Sequence, residues 1–346
     1  MNDLTKQWMV ILWAIFLTIG FSCTDTERSA ERSIFTTQET PYPLAGQRIL
    51  TDEMGLVSIK KVDGLYILST QRDTVLHVYD DQFRLISSFG RRGRGPGEFM
   101  REPRIHDTIG ADNETKVLIY DDVKRKIIEF NLHESIENGH LNVSREFDFP
   151  PKLSDTHVVD IVYTAIDHFF GVYDDRFSKA LDERRGRYYF EFGSTDFELI
   201  NLMNLTIDPF EDIPEINLNI RFNAISPDRK RFVSAFMYHP RIEIFETVDH
   251  DSPAIVLTPE VDVPEQYLLD DFNNDELIVH HAGIYATEKY IYLLHVGVKR
   301  KDRHAASQRI QVMDWQGHLV IEFEIDPDKN INRFIVDEQA SHIVGL

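Results

Sequence analysis

The chain has 346 residues, of which 42% are hydrophobic and 27% charged, and its net charge is −21. A chain of that length buries a large core, and the composition is that of an ordinary globular protein. The acidic balance speaks against nucleic-acid binding, which needs clustered Lys and Arg to displace counterions, so no DNA or RNA partner is expected.

Residues 1–22 read as an export signal. Lys6 stands in a short polar leader, and Trp8–Phe21 is an apolar run of 14 residues, too short for an ordinary membrane span of ~20 residues. Directly behind it, after Ser22, comes Cys23, the only cysteine, which has no partner for an internal disulfide. Its position resembles that of the acylated cysteine of bacterial lipoproteins, so Cys23 is the expected lipidation site. The expected location is the cell envelope, as an outer-membrane lipoprotein facing the periplasm or the surface. Residues 23–38 are rich in Ser, Thr and Glu and read as a flexible tether. Residues 39–346 are expected to form one domain.

That domain begins with a proline-punctuated lead, Glu39–Gly46, and a candidate strand, Gly46–Leu50. A first set of four strands follows: Leu56–Lys60, Leu65–Ser69, Val75–Asp80 and Leu85–Phe89. The glycine-rich stretch Gly90–Gly97 then ends in Phe99, with Pro103 and Ile105 shortly after. Such a loop turns sharply out of one small sheet and delivers the chain to the next. Phe99 has the bulk to plug the seam between the two. A second set runs through Pro103–Asp107, Val117–Tyr120 and Ile127–Asn131, then a turn at Gly139 and a strand from Val143. A third spans His157–Leu205. The fourth has Phe222–Ser226, a Pro227-Asp228 turn, then strands at 231–238, Arg241–Glu246 and Ala254–Leu257. Pro259–Glu276 interrupts the rhythm, and Pro264 stands at a plausible helix start. The fifth set spans 281–325, and a sixth begins with Asn332–Val336 and His342–Leu346.

Aligned on Asp80, Asn131, Gly193, Glu246 and Asp314, the repeats step by 51, 62, 53 and 68 residues. Periods of this length, each holding several short strands, point to propeller blades. The expected fold is all-β: a six-bladed propeller of four-stranded antiparallel blades. A half blade leaves strand edges open, so segments within Ile34–Leu50 are expected to complete the last blade.

The motif Phe89, Gly90, Gly93, Arg94, Gly95, Pro96, Gly97, Glu98 and Phe99, with the later Pro103, resembles the inter-blade loop of NHL-type repeats. It is closer still to the TolB-like six-bladed propeller lipoproteins of Gram-negative bacteria. Phe334–Glu338 resembles the opening of that family's last blade. The resemblance implies an exported, membrane-tethered propeller of a family mostly without assigned activity, and it implies no catalytic residue.

The candidate chemistry is sparse. Arg91, Arg92 and Arg94 flank the glycine loop, but a phosphate cradle needs a helix N-terminus behind it, and a strand is expected there. None of the 14 histidines has zinc-like spacing. His280 and His281 are neighbours, expected to point to opposite faces of a strand. Asp270–Glu276 is rich in carboxylates but lacks the glycine of a helix–loop–helix calcium site. Asp208–Asp212 offers paired acids without a cleft to put them in. Tyr188, Tyr189, Phe190, Phe192 and Phe197 suit inter-blade packing better than a sugar platform. No catalytic residue, metal ligand or cofactor is assigned, and the ligand-binding residues stay open. The expected function is an envelope binding module for a protein, peptide or glycan, acting as a monomer and touching the membrane by its lipid alone. The alternative is a calcium-type lactonase or glycoside hydrolase with its site in the central tunnel.

Overall fold

The computed structural model describes residues 31–35, 41–44, 55–95, 98–110, 114–148, 157–165, 168–174, 187–192, 197–202, 220–247, 254–259, 271, 274, 276–303, 306–338 and 341–346. All lie in one compact unit, Glu31–Leu346. The export signal, Cys23, Gly46–Leu50 and Asp208–Asp212 lie outside the described residues, as does most of Pro259–Glu276. No helix among the described residues is long and apolar enough to cross a membrane.

Two short strands come first, β1 (Glu31–Phe35) and β2 (Tyr42–Leu44). The first blade is β3 (Leu56–Val62), β4 (Leu65–Thr70), β5 (Thr74–Tyr79) and β6 (Leu85–Arg91). The second is β7 (Arg104–Ile109), β8 (Lys116–Asp121), β9 (Lys126–Asn131) and β10 (Val143–Asp148). The third is β11 (His157–Ala165), β12 (His168–Asp174), β13 (Arg187–Phe192) and β14 (Phe197–Leu202). The fourth is β15 (Arg221–Ile225), β16 (Arg231–Phe236), β17 (Ile242–Glu246) and β18 (Ile255–Pro259). The fifth is β19 (Ile278–Ala286), β20 (Tyr290–Lys299), β21 (Arg309–Asp314) and β22 (Leu319–Ile325). The sixth holds β23 (Phe334–Asp337) and β24 (His342–Gly345). Within each blade successive strands are adjacent. The six innermost strands, β3, β7, β11, β15, β19 and β23, are neighbours in that order, and β23 returns to β3. The expected six-bladed ring is therefore present, closed at its inner layer.

The burial pattern explains why the sequence reads as it does. The middle strands β4, β5, β8 and β16 are buried on nearly every residue, because each blade is covered by a neighbour on both faces. They therefore read as continuous apolar runs rather than as alternation. The outer strands β6 and β10 are largely exposed.

The seam between the first two blades is filled by Val75, Leu76, Phe89, Phe99, Ile119 and Phe130. Phe99 is 1% exposed, as its bulk suggested. The glycines before it have separate reasons. Gly90 has φ of 75°, a backbone region that β-carbons disfavour. Gly93 and Gly95 give room to Glu98: a β-carbon on Gly93 would overlap the Glu98 carboxylate. Glu98 Oε2 in turn accepts the Gly95 N–H at 2.7 Å. The loop then locks back, with the Phe99 N–H donating to Arg91 O at 2.8 Å and the Gly93 N–H to Phe99 O at 2.9 Å.

The last blade is clasped to the first. Asp337 of β23 takes a salt bridge from Lys61 and a hydrogen bond from the Tyr66 hydroxyl at 3.1 Å. His342 of β24 lies 3.1 Å from that hydroxyl. Ile335 and Val344 pack with Ile59, Tyr66 and Leu68 beneath it.

Two expectations need correcting. Segments within Ile34–Leu50 are expected to complete the last blade; Gly46–Leu50 lies outside the described residues, and the described part does not do so. Instead β1 runs parallel to β18, and β2 runs parallel to β22, extending the fourth and fifth blades to five strands. The outer edges of those blades offer unpaired backbone groups to any passing strand, and a short strand carries no label for its partner. The second correction is a helix, α1 (Leu132–Asn138), where a simple turn was expected. Asn131 caps it, accepting the Glu134 N–H at 3.0 Å, and Gly139 ends it with φ of 66°. This is the Asn-x-x-Glu start and glycine stop of a capped helix.

Candidate functional site

The six inner strands enclose a cavity of about 390 Å³ at the centre of the ring. Its lining carries a charged or titratable side chain on five of the six blades: Lys60 on β3, Arg104 and the neutral His106 on β7, Asp160 on β11, Arg221 on β15 and Arg333 just before β23. Four of these are fixed cations, against one carboxylate among the described lining residues.

Each group has a distinct environment. Arg221 is 1% exposed; its guanidinium pairs with Glu243 at 3.2 Å and lies over the Phe236 ring at 4.1 Å. It is committed to the wall. Lys60, Arg104 and Arg333 have no carboxylate within ion-pair reach among the described residues. Arg333 is an exposed residue, and it lines the cavity. Desolvation and then Arg104 pull its pKa down, opposed by Asp160. His106 is buried. Its Nδ1 lies 3.2 Å from Asp160 Oδ1 and 3.2 Å from the Ile161 N–H. Burial lowers its pKa in spite of Asp160, so the imidazole is neutral. Its Nε2 is buried without a partner. On the far side, Asn223 Oδ1 accepts from Ser234 at 2.9 Å, while its Nδ2 has no acceptor. The Tyr285 phenol is pushed up to about 12 by burial and by Asp337 and Glu338, so it stays a donor.

One end of the ring's interior is tied off. Arg229, in the hairpin between β15 and β16, has φ of 62° and reaches across to the second blade. It forms a salt bridge with Asp107 and donates to Tyr163 O at 3.3 Å. Asp107 also accepts the Tyr163 N–H at 2.8 Å. One side chain thus joins β7, β11 and β15.

Residues 46–294 match the DUF5128 family, described as a 6-bladed β-propeller. The chain belongs to that family. Among solved structures this propeller is similar to a protein described as exported, from Bacteroides fragilis NCTC 9343. The TM-score is 0.54 at 12% identity, over 89% of this chain and 85% of the other. Looser likenesses are a luciferin-regenerating enzyme (TM-score 0.45, 12% identity, 82% and 81% covered) and a calcium-binding regucalcin from Agrobacterium tumefaciens (TM-score 0.43, 14% identity, 89% and 83% covered). At such identities the likeness is one of fold. No curated protein matches the sequence.

The residues singled out from sequence are scattered across the propeller. Arg92 is spent on Gln71 O at 3.0 Å and Glu102 at 3.4 Å, and Gly90–Gly97 leads to β7, with no helix at its end. Tyr188, Tyr189, Phe190, Phe192 and Phe197 lie on β13 and β14 of the third blade. His280 and His281 depart from the expected opposition of faces. Register shifts flank His281, and the ring centroids of both lie near His295, at 6.5 and 5.9 Å. The cluster is apolar in behaviour: burial pulls His280, His281 and His295 down to about 2, 3 and 4. Among the described residues no group of three or more His, Cys, Asp or Glu is placed to hold a metal ion.

The cavity groups were missed in the sequence, although the signal was there. Lys60, Arg104, Asp160, Arg221 and Arg333 all sit in or beside segments read as the innermost strands. A charge on an innermost strand faces either a neighbouring blade or the central tunnel, and both are enclosed.

Proposed function

We propose that this propeller is an exported binding module of the cell envelope, with the central cavity as its ligand site. In this reading residues 1–22 are removed, Cys23 carries the lipid, residues 23–38 are the tether and residues 39–346 are a monomeric propeller of the TolB-like lipoprotein kind. The ligand is a protein segment, peptide or glycan of the envelope. The observation that carries the reading is one cavity lined from all six inner strands, where Lys60, Arg104 and Arg333 have no carboxylate within ion-pair reach among the described residues. Small-ligand sites are concave and hold a few placed polar groups of this type.

A calcium-type lactonase or hydrolase is the second reading, and the donor set weighs against it. A divalent ion in a propeller tunnel needs several oxygen ligands, and a glycosidase needs two carboxylates; here Asp160 faces an excess of cations. The test is a binding screen of envelope glycan fragments and peptides against the full chain, with bound material analysed by mass spectrometry. Ligand recovered intact, with binding indifferent to EGTA, supports a binding module. Recovery of a hydrolysed product, or dependence on Ca²⁺, overturns it. In parallel, Cys23→Ser is expected to move the protein from the detergent phase to the aqueous phase on detergent partitioning.

A further inference from the structure

We propose that the cavity is an oxyanion receptor, and that its ligand is a small hydroxylated acid bearing a carboxylate or phosphate group. This rests on the binding-module reading above and names its ligand class.

The charge of the cavity runs against that of the chain. Acids outnumber bases by 58 to 37 in the sequence, so a wall assembled without selection would be acidic. Instead Lys60, Arg104, Arg221 and Arg333 face Asp160. Other partly or fully buried cations are neutralised by built partners. Arg145 donates to Glu129 at 2.6 Å, Arg229 is paired with Asp107 and Arg221 with Glu243. Lys60, Arg104 and Arg333 are the exception among the described lining residues. Like charges on neighbouring inner strands repel, and among the described residues no ion pair offsets these three. A bound anion supplies the missing countercharge.

The arrangement also has a direction. Arg333, Lys60 and Arg104 belong to the sixth, first and second blades, which are consecutive around the ring. The anion therefore sits to one side. Guanidinium groups match carboxylate and phosphate oxygens in planar, two-pronged fashion. Across the cavity the fourth and fifth blades line the wall with neutral polar side chains, Asn223 and Tyr285. These suit hydroxyl groups and not a second anion. A volume of about 390 Å³ falls in the lower part of the range for small-molecule sites, and it has room for a single acidic sugar unit or a compact hydroxy acid.

The experiment is titration calorimetry of the full-length protein at fixed ionic strength, with D-glucuronate, glucose 6-phosphate, inorganic phosphate and D-glucose as probes. Wild-type protein is expected to bind glucuronate or glucose 6-phosphate at least tenfold more tightly than glucose. Which of the two wins distinguishes a carboxylate receptor from a phosphate receptor, and both support the proposal. Arg104→Gln and Arg333→Gln are each expected to weaken that binding at least tenfold. Their ligand-free melting temperatures should equal or exceed wild type, because repulsion is relieved; arginines with a purely structural role would give lower ones. The proposal is overturned if charged and neutral sugars bind alike, if the anions do not bind at 10 mM, or if both variants bind as wild type does. Binding of an uncharged glycan or a peptide in the absence of anion binding would overturn the oxyanion receptor while leaving the binding module standing.

Discussion

Acidification from pH 7.5 to 5.0 tests the packing of the fourth blade against the fifth. His281 is 1% exposed, and its Nδ1–H donates to Phe236 O at 2.7 Å. His295 faces it at 5.9 Å, with His280 6.5 Å from both. Desolvation is the first cause for all three; neighbouring imidazoles add to it at His280 and His281, and Arg309 adds to it at His295. Their folded pKa values, about 2, 3 and 4, lie below the unfolded value of about 6.5. Below pH 6.5 the unfolded chain takes up protons that the folded one refuses, so stability is full above that pH and falls as pH drops toward 4. By pH 5.0 each imidazole has withdrawn about 2 kcal/mol, and the coupled cluster as a whole has withdrawn several. That is a large part of the whole stability of an ordinary domain, about 5–15 kcal/mol. The assay is urea denaturation at both pH values for wild type, His280→Asn and His295→Asn. Each substitution is expected to shrink the pH-dependent loss by about 2 kcal/mol, whatever it does at pH 7.5. The reasoning is refuted if the variants lose as much as wild type, or if NMR shows these imidazoles titrating near 6.5 in the folded protein.

Three further outcomes follow from the geometry. Gly93→Ala displaces the Glu98 carboxylate from the Gly95 N–H and is expected to lower the stability of the propeller by about 1–3 kcal/mol in urea. Arg229→Ala strands the Asp107 carboxylate beneath the ring and is expected to be worse, about 3 kcal/mol or more, with a clear drop in melting temperature. Asn131→Ala removes the cap of α1, and a loss of about 1 kcal/mol by chemical denaturation is expected.

The fold was legible in the sequence because blade strands leave a strong signature. Runs such as Val75–Tyr79, Val117–Tyr120 and Phe232–Phe236 are buried on both faces and so are mostly apolar, with few breaks such as His77 and Ser234, and the Gly-Pro-Gly-Glu-Phe loop marks a blade joint. The helix after Asn131 was missed because His133, Glu134 and Glu137 make it look like a polar turn; its cap and its terminal Gly139 were the available clues. The route of the N-terminal strands was not legible, since Glu31–Phe35 pairs with residues more than two hundred positions away. The cavity was hidden for a related reason. Lys60, Arg104 and Arg333 are far apart in sequence, and only closure of the ring makes them neighbours. The inner-strand position of each was visible, but which of them share a cavity was not.

The circular order of the inner strands has a mechanical consequence. A linear array of repeats frays from its ends, where the outermost unit leans on a single companion. Here every unit is braced from two directions, and the Asp337 clasp removes what would have been the frayed end. Dislodging any one unit uncovers two packed faces at once. Melting is therefore expected to be all-or-none around the whole circle, with a protonated imidazole on one side felt by the glycine loop on the other.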